Sequence, residues 1–378
     1  MQRRVSALRK ARRSLAVCVL LFLALFASID LSFEILPTAE APTIYVDDDY
    51  GFEDADHKKT IQAAVDNSSV GGTVFVYNGT YYEDVYINKT INLTGISRDN
   101  TTINSTNLMG IFVENADYVN ISGFTIENAS WGGIRLRNSN NSLIENNILN
   151  NNGDGMEILD SNNTILKNNI ASNSFGGGEG IYMDGCSNFT IVNNTCVYNI
   201  NSGIWLRGNS DYNIIIFNNL SWNEKGIKLS EGSDFNQVYD NIINNNTGSS
   251  TVAAGFTIYE SYGNVIYNNS IINNKIGFNW NDELQSNFPN QISNCTIKNS
   301  TNYDIRIGNT WGTLVNTSFN KSSVYHRDTV PSGLLTVKWF LHINVIDYLG
   351  NPIQNANIQI EDNINGIFNE SYITDING

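Results

Sequence analysis

A short motif recurs along most of this chain: a glycine, an apolar residue, any residue, and a second apolar residue. Clear copies begin at residues 110, 133, 155, 180, 203, 226, 255 and 277, and a weaker copy begins at 304. Successive starts are 23, 22, 25, 23, 23, 29, 22 and 27 residues apart. A near-constant period is the sequence signature of repeat proteins, in which each unit buries its apolar face only against its neighbours. The chain is therefore expected to be a solenoid.

Each repeat has three short apolar elements. In the unit that begins at residue 133, the motif is followed by Leu143-Ile144, the pair Asn146-Asn147 and then Ile148. Short runs with alternating apolar residues, separated by glycine and asparagine, are typical of strands and not of helices. Stacked units bring equivalent residues within ~4.8 Å of each other, so the asparagines are expected to form hydrogen-bonded ladders. Further asparagine pairs stand at 168–169, 193–194, 218–219 and 268–269.

These features predict an all-β chain, a single-stranded right-handed parallel β-helix over residues 43–330. About 11 coils at ~4.8 Å each would give a rod about 50 Å long. Residues 58–69 form the one credible helix, with apolar residues at Ile61, Ala64 and Val65. Terminal units of a solenoid need covering to prevent edge pairing, so this helix is expected to cap the N-terminal end.

The segment from Ile44 to Gly95 and the repeated Gly-Ile-x-Leu and Asn-Asn-Thr-Ile elements carry a family resemblance. The segment resembles the entry into the pectin-lyase-like fold. The repeats resemble those of NosD-like proteins and of carbohydrate-binding and sugar-hydrolysis domains. The resemblance extends over residues 43 to about 320 and implies the same β-helix. The shared residues are turn and core positions, so the resemblance does not fix the activity.

The two ends of the chain differ from the repeats. Residues 1–42 contain a basic stretch followed by the apolar run 15–27, which is typical of a signal peptide or, if uncleaved, of an N-terminal anchor plus linker. Residues 331–378 resemble the start of a carboxypeptidase-regulatory or Ig-like β-sandwich that is incomplete at Gly378. A secreted or cell-surface protein is expected, a monomer whose only membrane contact is through the N-terminal segment. The Asn-x-Ser/Thr sequons from Asn67 onward are candidate glycosylation sites.

The composition restricts which ligands and partners the chain is expected to bind. The formal net charge is −15, and no cluster of Lys and Arg occurs outside the N-terminus, so nucleic-acid binding is not expected. The four cysteines do not form a disulfide framework. The NosD resemblance implies copper, but the only histidines, His57, His326 and His342, lie outside the central repeats. A copper site favours clusters of His, Cys or Met, so copper is not expected.

The first strand of each repeat should point alternate side chains outward, because side chains alternate between the two faces of a strand. In the central coils these positions combine rings, guanidinium groups and carboxylates. Rings stack on sugars and charges bind carboxylates and hydroxyls, so we expect a carbohydrate-binding groove. Ordinary cross-strand ion pairs, Arg135–Glu157 and Asp184–Arg207, are an equally simple explanation of the charges. The candidate binding residues are Arg135, Arg137, Tyr182, Trp205, Arg207, Lys228 and Tyr259.

A catalytic role for the same face is the alternative hypothesis. A polysaccharide lyase or epimerase acting on an acidic polysaccharide needs a cation near the uronate and a base, for which Arg207 or Lys228 is a candidate. A glycoside hydrolase needs two carboxylates about 5–9 Å apart, for which Asp154 and Glu179 in neighbouring coils are candidates. The candidate catalytic residues, which are also the candidate ligands of a possible Ca²⁺ ion, are Asp154, Glu157, Glu179 and Asp184.

The sequence thus leaves three functions open. The first is a secreted or cell-surface protein that presents a glycan-binding groove on its first sheet. The second is an enzyme that uses the same groove. The third is a rigid spacer with no ligand.

Overall fold

The computed structural model of the chain describes residues 42–49, 51, 53–281, 288–308, 310–327, 334–339, 343–361 and 369–375. The expected leader, apart from residue 42, lies outside these residues, as does His342. Within them, no helix is long and apolar enough to span a bilayer.

The chain winds as a right-handed parallel β-helix, as the repeats predict. The strand that carries the glycine motif builds the first sheet, which has eleven strands in the described residues and agrees with the expected number of coils. Its strands are Val85–Ile87, Met109–Glu114, Gly132–Arg137, Asp154–Leu159, Ile181–Asp184, Ser202–Arg207, Lys225–Ser230, Ala254–Tyr259, Ile276–Asn281, Tyr303–Ile307 and Val324–His326.

The second apolar element of each repeat builds the second sheet, which is also parallel and has fourteen described strands. Its strands, in spatial order, are His57–Lys58, Thr43–Val46, Gly72–Val76, Ile91–Gly95, Asn120–Ser122, Leu143–Glu145, Ile165–Lys167, Thr190–Val192, Ile214–Ile216, Gln237–Tyr239, Val265–Tyr267, Gln291–Ser293, Trp311–Val315 and Leu334–Lys338. The last of these lies past residue 330, where the sequence placed the end of the solenoid, and pairs in parallel with Trp311–Val315.

The third element gives the shortest strands. Six of them form one sheet and two form another, and single bridges at Asn219 and Ile242 connect these two sheets. The strands are Gly79–Tyr81, Thr101–Asn104, Thr125–Glu127, Ile148–Asn150, Ile170–Ser172 and Thr195–Val197, followed by Ser270–Ile272 and Thr296–Lys298.

One helix precedes the regular coils among the described residues. It spans Ile61–Asn67, and its buried residues are Ile61, Ala64 and Val65, as expected. The Glu83 carboxylate accepts hydrogen bonds from the first two helical N–H groups at 2.8 and 2.9 Å, which satisfies donors that have no partner inside a helix. Its role as a cap stays a prediction.

The C-terminal segment contributes two antiparallel strands, Asn357–Glu361 and Asn369–Ile373. A pair of strands is not a sandwich, so the Ig-like or carboxypeptidase-regulatory-like domain also stays a prediction.

Asparagine ladders run along the interior corners of the solenoid. Asn194 accepts from the backbone N–H and the side-chain amide of Asn169 at 3.0 and 3.1 Å. It donates to the Asn218 side chain at 3.1 Å and to the Leu166 carbonyl at 2.8 Å. The predicted ladder is therefore confirmed, and it consists of Asn147, Asn169, Asn194, Asn218, Asn241 and Asn269.

Two features of the ladders were not predicted. Two further ladders exist, one through Asn213, Asn236, Asn264 and Asn290 and one through Asn199, Asn223, Asn246 and Asn274. In most asparagine pairs the first member has a left-handed backbone and only the second joins the ladder. In the pair at 218–219 the first member joins, because Phe217 holds the left-handed position with φ of 56°.

The glycine of the repeat motif is not a turn residue, contrary to expectation. The motif glycines have ordinary negative φ and face the third strand across the narrow interior. A Cβ on Gly155 would lie 2.5 Å from the Gly180 carbonyl oxygen and 2.7 Å from the Ala171 side chain. The coil is therefore too narrow at this corner for any larger residue.

Candidate functional site

The outward column of the first sheet has the register that the sequence predicts. Arg135 pairs with Phe112 and Glu157, and the order continues coil by coil through Tyr182 and Trp205. The column continues through Lys228, Thr257, Asn279 and Arg306. Burial limits its open part, because Thr257 and Asn279 are only 6% and 7% exposed. Among the described coils, the accessible face with mixed chemistry therefore runs from Phe112 to Lys228.

A cleft of about 330 Å³ opens at the edge of this face. The coil that begins at Gly155 is 25 residues long, against 22 and 23 for the coils on either side. Its extra residues form a loop at one wall of the cleft, in which Gly176 and Gly177 have left-handed backbones. Two exposed rings, Trp131 (54%) and Phe175 (42%), belong to the lining. The remaining lining residues are Ser130, Gly153, Asp154, Glu157, Gly176, Gly177, Gly178, Glu179 and Tyr182.

Asp154 and Glu179 form a carboxyl pair in this cleft. Asp154 accepts the Glu179 backbone N–H at 2.8 Å, which brings the two carboxyl groups into one cleft. Burial raises the pKa of both groups, and with Asp154 alongside, the pKa of Glu179 rises to about 9. With its pKa raised this far, Glu179 is a neutral acid at pH 7.

Asn201, which the sequence analysis did not single out, holds Glu179 in place. Its side-chain amide donates to a Glu179 carboxylate oxygen at 2.6 Å. The side-chain carbonyl oxygen of Asn201 accepts a hydrogen bond from the Lys225 ammonium at 3.2 Å. The same ammonium forms an ion pair with Glu224 at 2.7 Å. A polar chain thus leads from the cleft across the next coil to Lys225.

Glu157 lies in the cleft and contacts Arg135. Their Oε2 and Nε atoms are 3.2 Å apart, an ion-pair contact that lacks the alignment of a hydrogen bond. Burial raises the pKa of Glu157, while Arg135 opposes the shift. The Arg135 guanidinium lies 5.0 Å from the Trp131 ring centroid and 5.5 Å from that of Phe112. Arg135 is therefore held between rings and a carboxylate, so the expected ion pair is present.

Tyr182 and Trp205 pack edge to face in the two following coils, with ring centroids 5.4 Å apart. The Tyr182 hydroxyl donates to Asp184 at 3.2 Å. Trp205 donates its indole N–H to Ser230 at 2.8 Å. Ser230, which accepts this hydrogen bond, is fully buried.

Arg207 binds two carboxylates and lies beside Trp205. Its Nη2 atom is 2.7 Å from Glu231, and its Nε atom is 3.5 Å from Asp184, which is the second expected ion pair. Burial lowers the pKa of Arg207, but Tyr182, Glu231 and Asp184 outweigh it, so the net shift is upward. A guanidinium with a raised pKa cannot serve as the base that the enzyme hypothesis assigned to it.

Lys228 differs from the other cations of this face. Its ammonium lies 3.7 Å from the Trp205 ring centroid. Burial lowers its pKa to about 8, and the neighbouring Lys225 adds to that effect.

Of the seven predicted binding residues, only Tyr182 lines the cleft, and two of the others are also remote from the rings and cations just described. Arg137 pairs with Glu114 at 3.6 Å, and Tyr259 is 37% exposed two coils beyond Arg207. The expected Ca²⁺ set is also divided, since Asp154, Glu157 and Glu179 line the cleft while Asp184 is held by Tyr182 and Arg207. Within the described residues, no three His, Cys, Asp or Glu side chains are grouped to hold a metal ion.

Sequence reasoning missed Trp131, Phe175 and Asn201. One signal was available, because the longer coil that contains Phe175 departs from the period at the cleft. Trp131 directly precedes the strand Gly132–Arg137, so it lies outside the alternating pattern of that strand.

Solved structures with a similar fold include an epimerase module, a polygalacturonase and a lyase. The A-module of a mannuronan C-5 epimerase from Azotobacter vinelandii is 16% identical, with a TM-score of 0.54 over 77% of this chain and 100% of that one. A hyperthermoactive exopolygalacturonase from Thermotoga maritima is 12% identical, with a TM-score of 0.56 over 71% and 84%. A pectate lyase is 14% identical, with a TM-score of 0.51 over 78% and 82%.

At these identities the likeness shows the fold: the chain is a pectin-lyase-like right-handed parallel β-helix. More particularly, residues 65–250 match the family model of NosD, described as a periplasmic copper-binding protein. The sequence has no match among curated proteins.

The matched segment does not fit a copper ion. It contains no histidine, and its two cysteines, Cys186 and Cys196, are buried thiols whose pKa burial raises. Of its three methionines, Met156 and Met183 are fully buried in the core, and the sulfur of Met109 lies 3.9 Å from the Arg135 guanidinium. Copper favours accessible clusters of imidazole, thiolate or thioether, which these residues do not provide.

Proposed function

We propose that this protein binds a polysaccharide along the outward face of its first sheet, between Trp131 and Lys228. The observation that carries the proposal is the combination of rings and charged groups on consecutive coils beside an open cleft. Sugars bind through stacking of their apolar faces on rings and through hydrogen bonds from their hydroxyls to charged groups. The similar structures include an epimerase, a polygalacturonase and a lyase, which supports a glycan ligand but does not identify it.

The size of the face is suitable for a chain and not only for a single sugar. Consecutive strands are ~4.8 Å apart, so the six coils from Phe112 to Lys228 extend over about 24 Å. Because Thr257 and Asn279 are buried, the proposed groove ends beyond Lys228.

The test is retention of the full chain on immobilised neutral and acidic polysaccharides. Trp205→Ala and Trp131→Ala should each weaken retention at least tenfold, because each removes a ring of the proposed groove. Phe217→Ala is the control, since Phe217 is also exposed (57%) but lies at the corner after a second-sheet strand. Equal retention of all three variants, or retention of the wild type on no polymer, would overturn the proposal in favour of a spacer.

Acid–base catalysis in the same cleft is the second candidate, and the carboxyl pair favours it. A carboxylic acid that stays protonated at neutral pH is a suitable general acid, and perturbed pKa values cluster at functional sites. In this candidate Glu179 donates a proton, and Asn201 positions Glu179. The Glu179→Gln variant should then abolish product release from a retained polysaccharide, measured as reducing ends or unsaturated products, without abolishing retention.

We also propose an extracytoplasmic location. The match to a periplasmic family and the basic and apolar N-terminal stretch support it. Protease treatment of intact cells is the test: the protein should be degraded or found outside the cytoplasm.

A further inference from the structure

Lys228 is a cation whose charge is not compensated. It is half-buried, and in the described part of the chain no carboxylate lies within ion-pair distance of its ammonium. The groups that act on its charge are Lys225 and Arg207, which repel it, and Glu231 and Glu179, which attract it from farther away. The Trp205 ring supplies one favourable face.

The four other basic side chains on the first-sheet strands of the central coils provide the contrast. Each has a carboxylate within 3.6 Å: Arg135 has Glu157, Arg137 has Glu114, Arg207 has Glu231, and Lys225 has Glu224. A partly desolvated ammonium without such a partner is unfavourable, and an anion brought by a ligand would remove that penalty.

The cleft at the other end of the groove has the opposite character. Three carboxyl groups line it, from Asp154, Glu157 and Glu179, and no basic side chain does within the described residues. Glu157 lies three strands from Lys228, or about 14 Å along the sheet. An anionic sugar in the cleft would meet carboxylates in a poorly solvated place, whereas an uncharged sugar can donate its hydroxyls to them.

We infer that the ligand of this groove is a polysaccharide of mixed charge, which places an anionic group at Lys228 and an uncharged sugar in the Asp154–Glu179 cleft. This inference rests on the proposed binding function and specifies its ligand class. It distinguishes the ligand from a polymer with an anion on every unit, which the cleft would repel, and from a neutral polymer, which would leave Lys228 uncompensated. Lys228 and the acidic cleft are a fixed distance apart along the sheet. Their positions therefore also set the direction in which the polysaccharide lies in the groove.

The inference has a consequence for pH. Lys228 binds an anion only in its protonated form, so affinity for the anionic group is complete below about pH 8 and falls as the pH rises above it. The pKa of Glu179 is raised to about 9, so its ionisation would change the affinity of every ligand in the cleft. The affinity of a neutral ligand, measured at each pH, provides the correction for this change.

The experiment is calorimetric titration of the full chain with three hexasaccharides: one of alternating uronate and N-acetylhexosamine, one of galacturonate alone, and one of N-acetylglucosamine alone. The alternating probe should bind at least tenfold more tightly than either other probe. Lys228→Gln should weaken its binding at least tenfold and leave the neutral probe within about twofold. Lys228→Arg should preserve binding and, relative to the neutral probe, remove the decline between pH 7 and 9.5. Lys167→Gln, a paired surface lysine on the second sheet, is the matched control.

The outcomes separate the two claims. Galacturonate binding as tightly as the alternating probe, or Lys228→Gln weakening the neutral and the alternating probes equally, would overturn the charge assignment and leave the groove standing. Failure of all three probes would count against both. Thermal unfolding of each variant confirms that loss of binding is not loss of the fold.

Discussion

The interior corners and the outward face of the first sheet follow opposite rules. At the corners the same residue recurs on successive coils: asparagine follows asparagine through Asn169, Asn194 and Asn218, with the same hydrogen bonds each time. On the outward face, consecutive positions are occupied by a carboxylate, a phenol, an indole and an ammonium. Both regions are in strict register, so the difference does not come from the backbone.

The difference shows which positions the stack constrains. A buried amide must match the amide above and below it, because an unpaired buried polar group is costly. An outward side chain meets solvent and can vary at little cost. The coils from Phe112 to Lys228 combine this variation with an open cleft, so specific chemistry is expected there.

The largest expected loss of stability comes from a substitution in an asparagine ladder. Asn194→Ala removes four hydrogen bonds and leaves buried partners on Asn169, Asn218 and Leu166, which should lower the free energy of unfolding by about 3 kcal/mol. The measurement is urea unfolding followed by circular dichroism. Asn100→Ala, at an exposed position, should change it by less than about 0.5 kcal/mol. Similar effects at both sites would mean that the ladder does not stabilise the stack.

A smaller loss of stability should distinguish substitutions at two adjacent glycines. Gly133→Ala places a Cβ 2.8 Å from the Asn152 side chain and 2.9 Å from the Gly155 carbonyl oxygen, and should cost about 2 kcal/mol through overpacking. Gly132→Ala meets nothing closer than 3.7 Å and should be nearly neutral. Thermal unfolding of the two variants compares the inside of the coil with its edge, and a larger loss for Gly132→Ala would contradict the packing described for this corner.

The fold was more predictable from the sequence than the site was. The repeat period predicted the coils, and the alternation of side chains predicted the outward column from Phe112 to Lys228. Both depend only on spacing along the sequence. The offset at Asn218 was not predictable from asparagine pairs, since Phe217 occupies a left-handed position that asparagine holds in other coils. The contact between Asp154 and Glu179 was not predictable either, because it depends on the path of the longer loop between them.

A moderate change in the stability of the fold is expected when the pH changes. The pKa of Glu179 is raised in the folded state, so the folded protein holds a proton that the unfolded chain releases above about pH 4.5. Stability should therefore fall as the pH rises from about 5 to 9, and Glu179→Gln should remove that part of the decline. Melting temperatures of the two proteins across this range provide the measurement. Parallel curves would mean that Glu179 is ionised at neutral pH.

The smallest effect is expected at a surface ion pair. Lys167 and Glu145 lie 3.7 Å apart and are both substantially exposed on the second sheet. Lys167→Gln should change the free energy of unfolding by less than about 0.5 kcal/mol and should not affect ligand retention. A loss of retention would show that the ligand also contacts the second sheet, which would remove the distinction between the two faces.

The most direct test of the central claim is hydroxyl-radical footprinting of the full chain with and without a retained polysaccharide. The account predicts that Trp131, Tyr182 and Trp205 become protected, while Phe217 and Tyr348, which are 57% and 94% exposed elsewhere on the chain, stay reactive. Protection of Phe217 and Tyr348 with no change at Trp131 and Trp205 would contradict it, and would place the ligand away from the first sheet.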